Sequence, residues 1–107
     1  NILVAIKLKK YMPVKVIKRD GSIEDFNEAK IRNSIHAACH EAELTEERIE
    51  ELLETIVSNV LNSLASKEEV GFSEIREAIF EELEKNEPAV IEVWKNYERN
   101  VKGLNVI

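Results

Sequence analysis

The sequence has very little cysteine, glycine and proline, with one, three and two residues of each among 107. A single cysteine excludes an internal disulfide framework and a zinc site built from four cysteines. Three isolated glycines exclude the glycine-rich loops that cradle phosphate in P-loop and dinucleotide-binding domains. The longest apolar run, from Ile2 to Ile6, is too short to span a bilayer. Positive charges follow this run rather than precede it, so no secretory signal is predicted and we expect a cytoplasmic protein.

Charge is unevenly distributed along a chain of one-domain length. The formal net charge is −6, yet the first 19 residues carry six basic side chains and no acidic one. The rest of the chain is therefore strongly acidic, which argues against a general nucleic-acid coat because such a surface needs a broad basic face. An apolar content of 44% is enough for one modest core. These totals predict a small globular protein with a basic N-terminal segment.

Residues 14–26 have the pattern of a β-hairpin. β-branched residues flank Asp20-Gly21, a pair that suits a two-residue type I′ turn with positive φ at both positions. Such a turn pairs Ile17 with Glu24 and leaves Lys18 and Glu24 on opposite faces. Because an isolated hairpin is only marginally stable, this one must pack against another element.

Four amphipathic segments follow the hairpin, and each begins at a capping signal. The predicted helices run from the N-cap Asn27 to about Glu43, from the N-cap Thr45 to about Ser66, from the N-cap Ser73 to about Lys85, and from Pro88 to Gly103. A short strand is predicted from Val70 to Phe72. The apolar face of the fourth helix consists of Val90, Val93, Trp94, Tyr97 and Val101. We therefore predict an α+β fold in which a small hairpin-based sheet of two to three strands caps a four-helix bundle.

Candidates for metal or thiol chemistry lie on the first predicted helix. His36 and His40 have the i, i+4 spacing that can share a metal, but no third ligand is near in sequence and His40 lies opposite the apolar face. Cys39 borders that face, where we expect a small packed residue rather than a nucleophile. We expect neither a catalytic residue nor a metal site.

The remaining polar cluster consists of Lys18, Arg19, Glu24, Asn27 and Lys30. The first two precede the turn, the carboxylate lies on the return strand, and the last two lie at the start of the first helix. Helix N-termini and clustered basic residues bind polyphosphate, and a carboxylate beside an amide can pair with an adenine edge. Two interpretations remain open from these residues alone: a purine nucleotide site without a P-loop, or a charged hairpin with scattered ion pairs.

The spacing of these residues resembles the signature of the ATP-cone family. In that family a hydrophobic residue, any residue and K-R-D-G are followed five residues later by a hydrophobic residue, and then by K-I. The matching positions here are Val16 to Gly21, Phe26 and Lys30-Ile31, and the resemblance covers about residues 14–100. ATP-cone domains occur in ribonucleotide reductase large subunits, in the bacterial repressor of ribonucleotide reductase genes, and in some archaeal 2-phosphoglycerate kinases.

The resemblance implies a domain that binds ATP or dATP without hydrolysing it, with or without Mg2+. The matched positions are Lys18 and Arg19 for phosphate, Glu24 and Asn27 for adenine, and Lys30 and Ile31 for the end of the motif that lines the nucleotide. Relatives often complete the phosphate site with a basic residue near the end of the last helix, and the candidates here are Lys95, Arg99 and Lys102. Phe72 occupies a position that often carries a small hydroxyl residue in relatives.

We therefore predict an allosteric sensor of adenine nucleotides rather than an enzyme. The predicted domain spans residues 12–103, between an N-terminal appendage at 1–11 and a tail at 104–107. The expected partners are the nucleotide and a catalytic or regulatory protein, or a second copy bound through helices, but neither a membrane nor nucleic acid. Because no zinc ribbon precedes the domain in this sequence, a role as the repressor itself is not expected. The alternative is a helical interaction module whose basic N-terminal arm binds an acidic partner or nucleic acid.

Overall fold

The computed structural model describes residues 15–65 and 67–100. The predicted appendage, the start of the first strand at Val14, and the predicted end of the last helix at Gly103 lie outside these ranges. The elements are β1 (Lys15–Ile17), β2 (Ile23–Asp25), α1 (Glu28–Glu41), α2 (Glu46–Leu64), β3 (Glu69–Gly71), α3 (Phe72–Asn86) and α4 (Ala89–Asn100). This order confirms the predicted α+β fold.

The sheet has three strands in the order β2-β1-β3, so the first strand of the chain is the central one. β2 pairs with it antiparallel through the hairpin, and β3 pairs with it parallel after two intervening helices. Val16 and Val70 are direct partners in the parallel pair and are 3% and 1% exposed. The short strand predicted from Val70 to Phe72 therefore exists, but it lies one residue earlier because Phe72 already belongs to α3.

The hairpin turn differs from the predicted type I′ turn. Gly21 has a φ of +86°, whereas Asp20 does not adopt a positive φ. The N–H of Gly21 donates to the carbonyl of Lys18 at 3.0 Å, and the N–H of Lys18 donates to the carbonyl of Ser22 at 2.8 Å. This pattern is a type I turn followed by a bulge at glycine. Asp20 favours it because its carboxylate accepts hydrogen bonds from the N–H and the hydroxyl of Ser22, at 2.9 and 2.6 Å.

The longer loop shifts the strand register by one residue from the predicted one. Ile17 pairs with Ile23 and Val16 with Glu24, where the prediction paired Ile17 with Glu24. Because side chains alternate along a strand, a shift of one residue moves each of them to the other face. Glu24 therefore shares the face of Val16 and Lys18, and the prediction that Glu24 and Lys18 lie on opposite faces was wrong.

Two of the three predicted side-chain caps are confirmed. The side-chain oxygen of Asn27 accepts the N–H of Ala29 at 3.0 Å, and the hydroxyl of Thr45 accepts the N–H of Arg48 at 3.2 Å. The prediction that Ser73 caps the third helix was wrong, since α3 begins at Phe72 and Ser73 lies within its first turn. The strand runs directly into this helix, and the Glu74 carboxylate caps it by accepting the N–H of Gly71 at 3.2 Å.

The fourth helix begins at Ala89, one residue after the predicted start at Pro88. Val90 and Trp94 on its predicted inner face are 0% and 3% exposed, but Tyr97 is 48% exposed, so that part of the prediction was wrong. Tyr97 lies on the same helical stripe, yet a groove between α1 and α4 leaves its ring uncovered.

The core lies around α2, which packs against both α1 and α3, while α4 packs against α1 and α3. Seven residues of α2 are buried: Ile49, Leu52, Leu53, Ile56, Val57, Val60 and Leu64. Across residues 15–65 and 67–100, none of the helices has the length and apolar character needed to cross a membrane.

Candidate functional site

Three of the predicted site residues meet at one carboxylate. Glu24 on β2 lies between two ammonium groups, 3.2 Å from the Nζ of Lys18 and 2.9 Å from the Nζ of Lys30. The Lys18 side chain is only 16% exposed and that of Glu24 29%, so the cluster is partly screened from solvent. Hydrogen bonds from Lys30 and then Lys18 lower the pKa of the Glu24 carboxyl. The carboxylate therefore stays ionised and ties the hairpin to the first turn of α1.

Asn27 and Ile31 flank this cluster at the start of α1. Asn27 is exposed, and its side-chain oxygen is occupied by the capping hydrogen bond to Ala29. Ile31 is 1% exposed and packs in the core on the buried side of the first turn of α1. Both residues thus lie on either side of Lys30 in the chain, but Ile31 presents almost no surface.

Arg19 points to a different part of the structure from its neighbour Lys18. Its guanidinium carbon lies 4.5 Å from the centroid of the Phe72 ring at the start of α3. Its Nη2 lies 3.7 Å from Oε2 of Glu98 near the end of α4, and its side chain remains 59% exposed. The two adjacent basic residues of the turn therefore contact two separate carboxylates.

The second carboxylate also binds Arg76, a residue that the sequence interpretation missed. Arg76 donates from Nε to Oε2 of Glu98 at 2.9 Å and from Nη2 to Oε1 at 2.8 Å, which is a bidentate pair. Only 13% of the Glu98 side chain is exposed, and the hydrogen bonds from Arg76 lower the pKa of its carboxyl.

A repeat in the sequence of α3 could have indicated this arginine. Phe72, Arg76 and Phe80 recur every four residues, so they share one face of the helix. The Arg76 guanidinium carbon lies 4.3 Å from the centroid of the Phe80 ring, which repeats the stack of Arg19 on Phe72 about two helical turns further along. Phe72 thus serves as a platform for a cation.

These contacts form a cationic site whose charges are already partly neutralised. Four cations, from the hairpin, α1 and α3, surround two carboxylates, from β2 and α4. Guanidinium forks and ammonium groups bind carboxylate and phosphate oxygens by the same geometry. The arrangement can therefore bind a polyanion that competes with the two carboxylates.

The basic residues considered near the end of α4 do not join this site in the described part of the chain. Arg99 donates to the carbonyl of Lys95 at 3.3 Å and to the side-chain oxygen of Asn96 at 2.9 Å, so the hydrogen bonds found for it stay within its own helix. Lys95 is exposed, and Lys102 lies outside the described residues. Instead, the acidic residue Glu98, which lies between Lys95 and Arg99 in the sequence, connects α4 to the hairpin through Arg19.

The histidines and the cysteine of α1 lie apart from the charged cluster. Nε2 of His36 is 3.4 Å from a carboxylate oxygen of Glu46, and the His36 and His40 rings stack with centroids 6.4 Å apart. Within the described ranges, no three His, Cys, Asp or Glu residues converge in a way that could hold a metal ion. Cys39 is fully buried, and burial raises the pKa of its thiol to about 11, so its reactive thiolate form is suppressed.

A groove of about 440 Å³ lies between α1 and α4. Apolar and aromatic side chains line most of it, including Trp94 and Tyr97, together with His36 and His40. None of the predicted nucleotide-binding residues lines this groove. Its volume therefore does not make this groove the nucleotide site predicted from the sequence, since the predicted residues lie at the hairpin and the start of α1.

Comparison with known proteins bears directly on this cluster. A family model described as the ATP cone domain matches residues 14–100. The chain belongs to the ATP-cone family. The match spans the hairpin, all four helices and both carboxylates of the charged cluster, and it confirms the resemblance inferred from the K-R-D-G motif. ATP-cone domains are nucleotide-binding regulatory domains, so a role of this general kind follows for the chain.

Several proteins named transcriptional repressor NrdR are similar to the chain. The protein from Thermosipho melanesiensis is 38% identical over 73 residues, which cover 68% of this chain and 47% of the relative. The one from Caldicellulosiruptor saccharolyticus is 29% identical over 93 residues, covering 87% and 60%. A Synechococcus protein is 31% identical over 94 residues, covering 88% and 46%. The chain thus spans about half the length of these curated relatives, and the shared part is the ATP-cone domain.

Proposed function

We propose that this domain binds ATP or dATP as an allosteric sensor and does not hydrolyse it. The observation that carries the proposal is the convergence of Lys18, Lys30, Arg19 and Arg76 on two carboxylates beside the N-termini of α1 and α3. A triphosphate supplies several negatively charged oxygens that these cations can share. The adjacent helix N-termini add a partial positive charge.

Phosphate binding would fall to the basic side chains of the turn and of α1. Lys18 and Arg19 precede the turn and contact separate carboxylates, so together they can reach different phosphate groups of one ligand. Lys30 adds a third charge from the first turn of α1, and 40% of its side chain is exposed. Partial burial of Lys18 and Glu24 makes electrostatic interactions there stronger than at a fully solvated surface.

Recognition of adenine would fall to Glu24 and Asn27. Glu24 can accept a hydrogen bond from the exocyclic amine, and the Asn27 amide can donate to a ring nitrogen while its oxygen caps α1. Glu24 contacts both lysines in the structure, so pairing with adenine requires phosphate to take over at least part of their charge. Ile31 would form part of the apolar surface on which the adenine base packs.

Thermal unfolding with a panel of nucleotides tests this function. We expect ATP and dATP to raise the melting temperature, and GTP to raise it much less, because guanine has a carbonyl oxygen at C6 where adenine has the exocyclic amine that Glu24 would bind. Parallel titrations with and without Mg2+ determine whether the ion contributes to binding. No shift with millimolar ATP or dATP would reject the nucleotide site. Release of inorganic phosphate after prolonged incubation would reject binding without hydrolysis.

The names of the relatives suggest the kind of protein that the nucleotide would regulate. Because they are named transcriptional repressors, we propose that the nucleotide regulates a protein that acts on transcription, in which this domain is one part. The basic N-terminal segment is the feature of this chain best suited to a nucleic-acid contact. A mobility-shift assay with duplex DNA, with and without residues 1–11, tests that contact. Loss of DNA binding on deletion, with ATP binding retained, would assign it to the N-terminal segment. No DNA binding by either form would reject it.

A further inference from the structure

We propose that Glu98 is an internal counterion, which holds Arg19 and Arg76 before nucleotide binds and which nucleotide phosphate must displace from them. The proposal rests on the proposed function and adds a residue that limits the affinity of the same site. It concerns the second of the two carboxylates in the site, on a helix where a basic contact was expected.

The geometry gives Glu98 the position of a bound anion. Both of its oxygens face Arg76, at 2.8 and 2.9 Å, and one of them also lies 3.7 Å from Arg19. The guanidinium fork accepts a carboxylate or a phosphate in the same bidentate arrangement. A phosphate oxygen therefore cannot take the full set of donors on Arg76 while Glu98 occupies them.

The charge of Glu98 persists at neutral pH because its pKa lies below the ordinary value of 4.5. Arg76 is the largest cause of that shift, and burial opposes it. The carboxylate thus remains an anion inside a partly buried site, where it both occupies donors and repels an incoming phosphate.

The two arginines do not depend on Glu98 alone for their positions. Arg19 stacks on Phe72 at 4.5 Å and Arg76 stacks on Phe80 at 4.3 Å. Such cation–π contacts hold a guanidinium plane against the ring face. If Glu98 loses its charge, both guanidinium groups stay near the site and their donors become available to phosphate.

The opposite role makes the opposite prediction. If Glu98 mainly orients the two arginines for phosphate, then neutralising it should disorder them and weaken binding. The sign of the change in affinity therefore separates a counterion from a positioning residue.

The test is Glu98→Gln, which preserves the shape of the side chain and removes its charge. The matched control is Glu87→Gln, because Glu87 forms a similar partly buried pair with Arg48, 3.1 Å from Nε, at the opposite end of α3. Calorimetric titration should show that Glu98→Gln binds ATP and inorganic tripolyphosphate roughly tenfold more tightly than wild type, a factor worth about 1.4 kcal/mol. The control should stay within about twofold of wild type.

Equal or weaker binding by Glu98→Gln, in a variant that unfolds cooperatively, would overturn the counterion role while leaving the proposed function intact. Absence of ATP binding by wild type would instead reject the proposed function itself. Equal tightening in the control would assign the effect to net charge and overturn the specific role of Glu98.

A second measurement on wild type keeps the proposal testable if the variant does not fold. The side-chain carboxylate carbon of Glu98 and the Nε–H of Arg76 can be followed by NMR during titration with ATP. Both signals should move at saturation, because the hydrogen bonds that join them are replaced. Signals that remain unchanged while ATP binds would show that Glu98 keeps its partners and would overturn the proposal.

Discussion

Removing both basic residues of the turn should nearly abolish the response to ATP without unfolding the domain. In the double variant Lys18→Ala/Arg19→Ala, neither carboxylate is left alone, because Glu24 retains Lys30 and Glu98 retains Arg76. We therefore expect the melting temperature without nucleotide to change by only a few degrees, because each carboxylate keeps one cationic partner.

The size of the effect on binding follows from the two charged hydrogen bonds to phosphate that the variant can no longer form. A hydrogen bond to a charged group contributes about 1.5–3 kcal/mol. The lower end applies to Arg19, because its side chain is 59% exposed. Even if the lower end is taken for Lys18 as well, two such bonds amount to about 3 kcal/mol, or roughly 150-fold in dissociation constant.

Thermal unfolding converts this weaker binding into a measurable shift. ATP at about 100 times its dissociation constant adds about 2.7 kcal/mol to the unfolding free energy of wild type, which raises its melting temperature by roughly 10–20 °C. The same concentration is below the dissociation constant of the double variant, so the shift should fall to about 2 °C.

The control is Lys15→Ala/Arg32→Ala, which removes the same two types of charge elsewhere. Lys15 pairs with Asp25 at 2.5 Å and Arg32 with Glu28 at 3.0 Å, both at exposed positions. This variant should keep the full ATP shift. A full shift in the Lys18/Arg19 variant would refute the site, and an equal loss in the control would show that the response depends on net charge alone.

Three further predictions concern stability and reactivity. The pKa of the Glu98 carboxyl lies below 4.5 in the folded state, so on acidification the unfolded chain binds this proton first and the unfolding free energy should fall below about pH 4.5. Thermal unfolding from pH 3 to 7 should show that the melting temperature of Glu98→Gln depends less on pH than that of wild type. Cys39 should resist a thiol reagent at pH 8 until denaturant unfolds the domain; rapid labelling of the native protein would contradict its burial. Ile79→Ala should lower the unfolding free energy by about 3–4 kcal/mol, whereas Ile23→Ala, at a side chain 62% exposed, should cost under about 0.5 kcal/mol in chemical denaturation.

The helices and two of their three predicted caps were predictable because their determinants are local. Ile49, Ile56 and Val60 recur at helical spacing in α2, and burial follows that pattern. Asn27 and Thr45 cap their helices through backbone N–H groups two and three residues away. Interactions of this range depend little on the rest of the fold.

The hairpin register was not predictable from the Asp20-Gly21 pair. That pair suits either a type I′ turn or a type I turn with a glycine bulge, and the two differ by one residue in register. The bonds from Ser22 to the Asp20 carboxylate favour the second. Since one residue reverses the face, this local competition decides whether Glu24 meets Lys18 at all.

The pair of Arg76 and Glu98 was unpredictable for a different reason. These residues are 22 positions apart on separate helices, so only the packing of α3 against α4 brings them together. The sequence rule for relatives directed attention to basic residues at the end of α4, and the acidic residue between Lys95 and Arg99 was overlooked. The recurrence of Phe72, Arg76 and Phe80 was visible in the sequence, but it specified a face of α3 without its partner.

At the site, the basic first segment of the chain and the acidic remainder are joined by specific ion pairs. Lys18 and Arg19 come from the basic segment, whereas Glu24 and Glu98 come from the acidic remainder and join the hairpin to α1 and α4. Under the proposed function, a triphosphate that binds the cations must loosen both ties at once, since the same side chains form them. A ligand shifts a conformational equilibrium only by its differential affinity for the two states. The phosphates would therefore replace the same ion pairs that connect the hairpin to α1 and α4. Binding would change the position of the hairpin relative to α4 through the loss of these contacts.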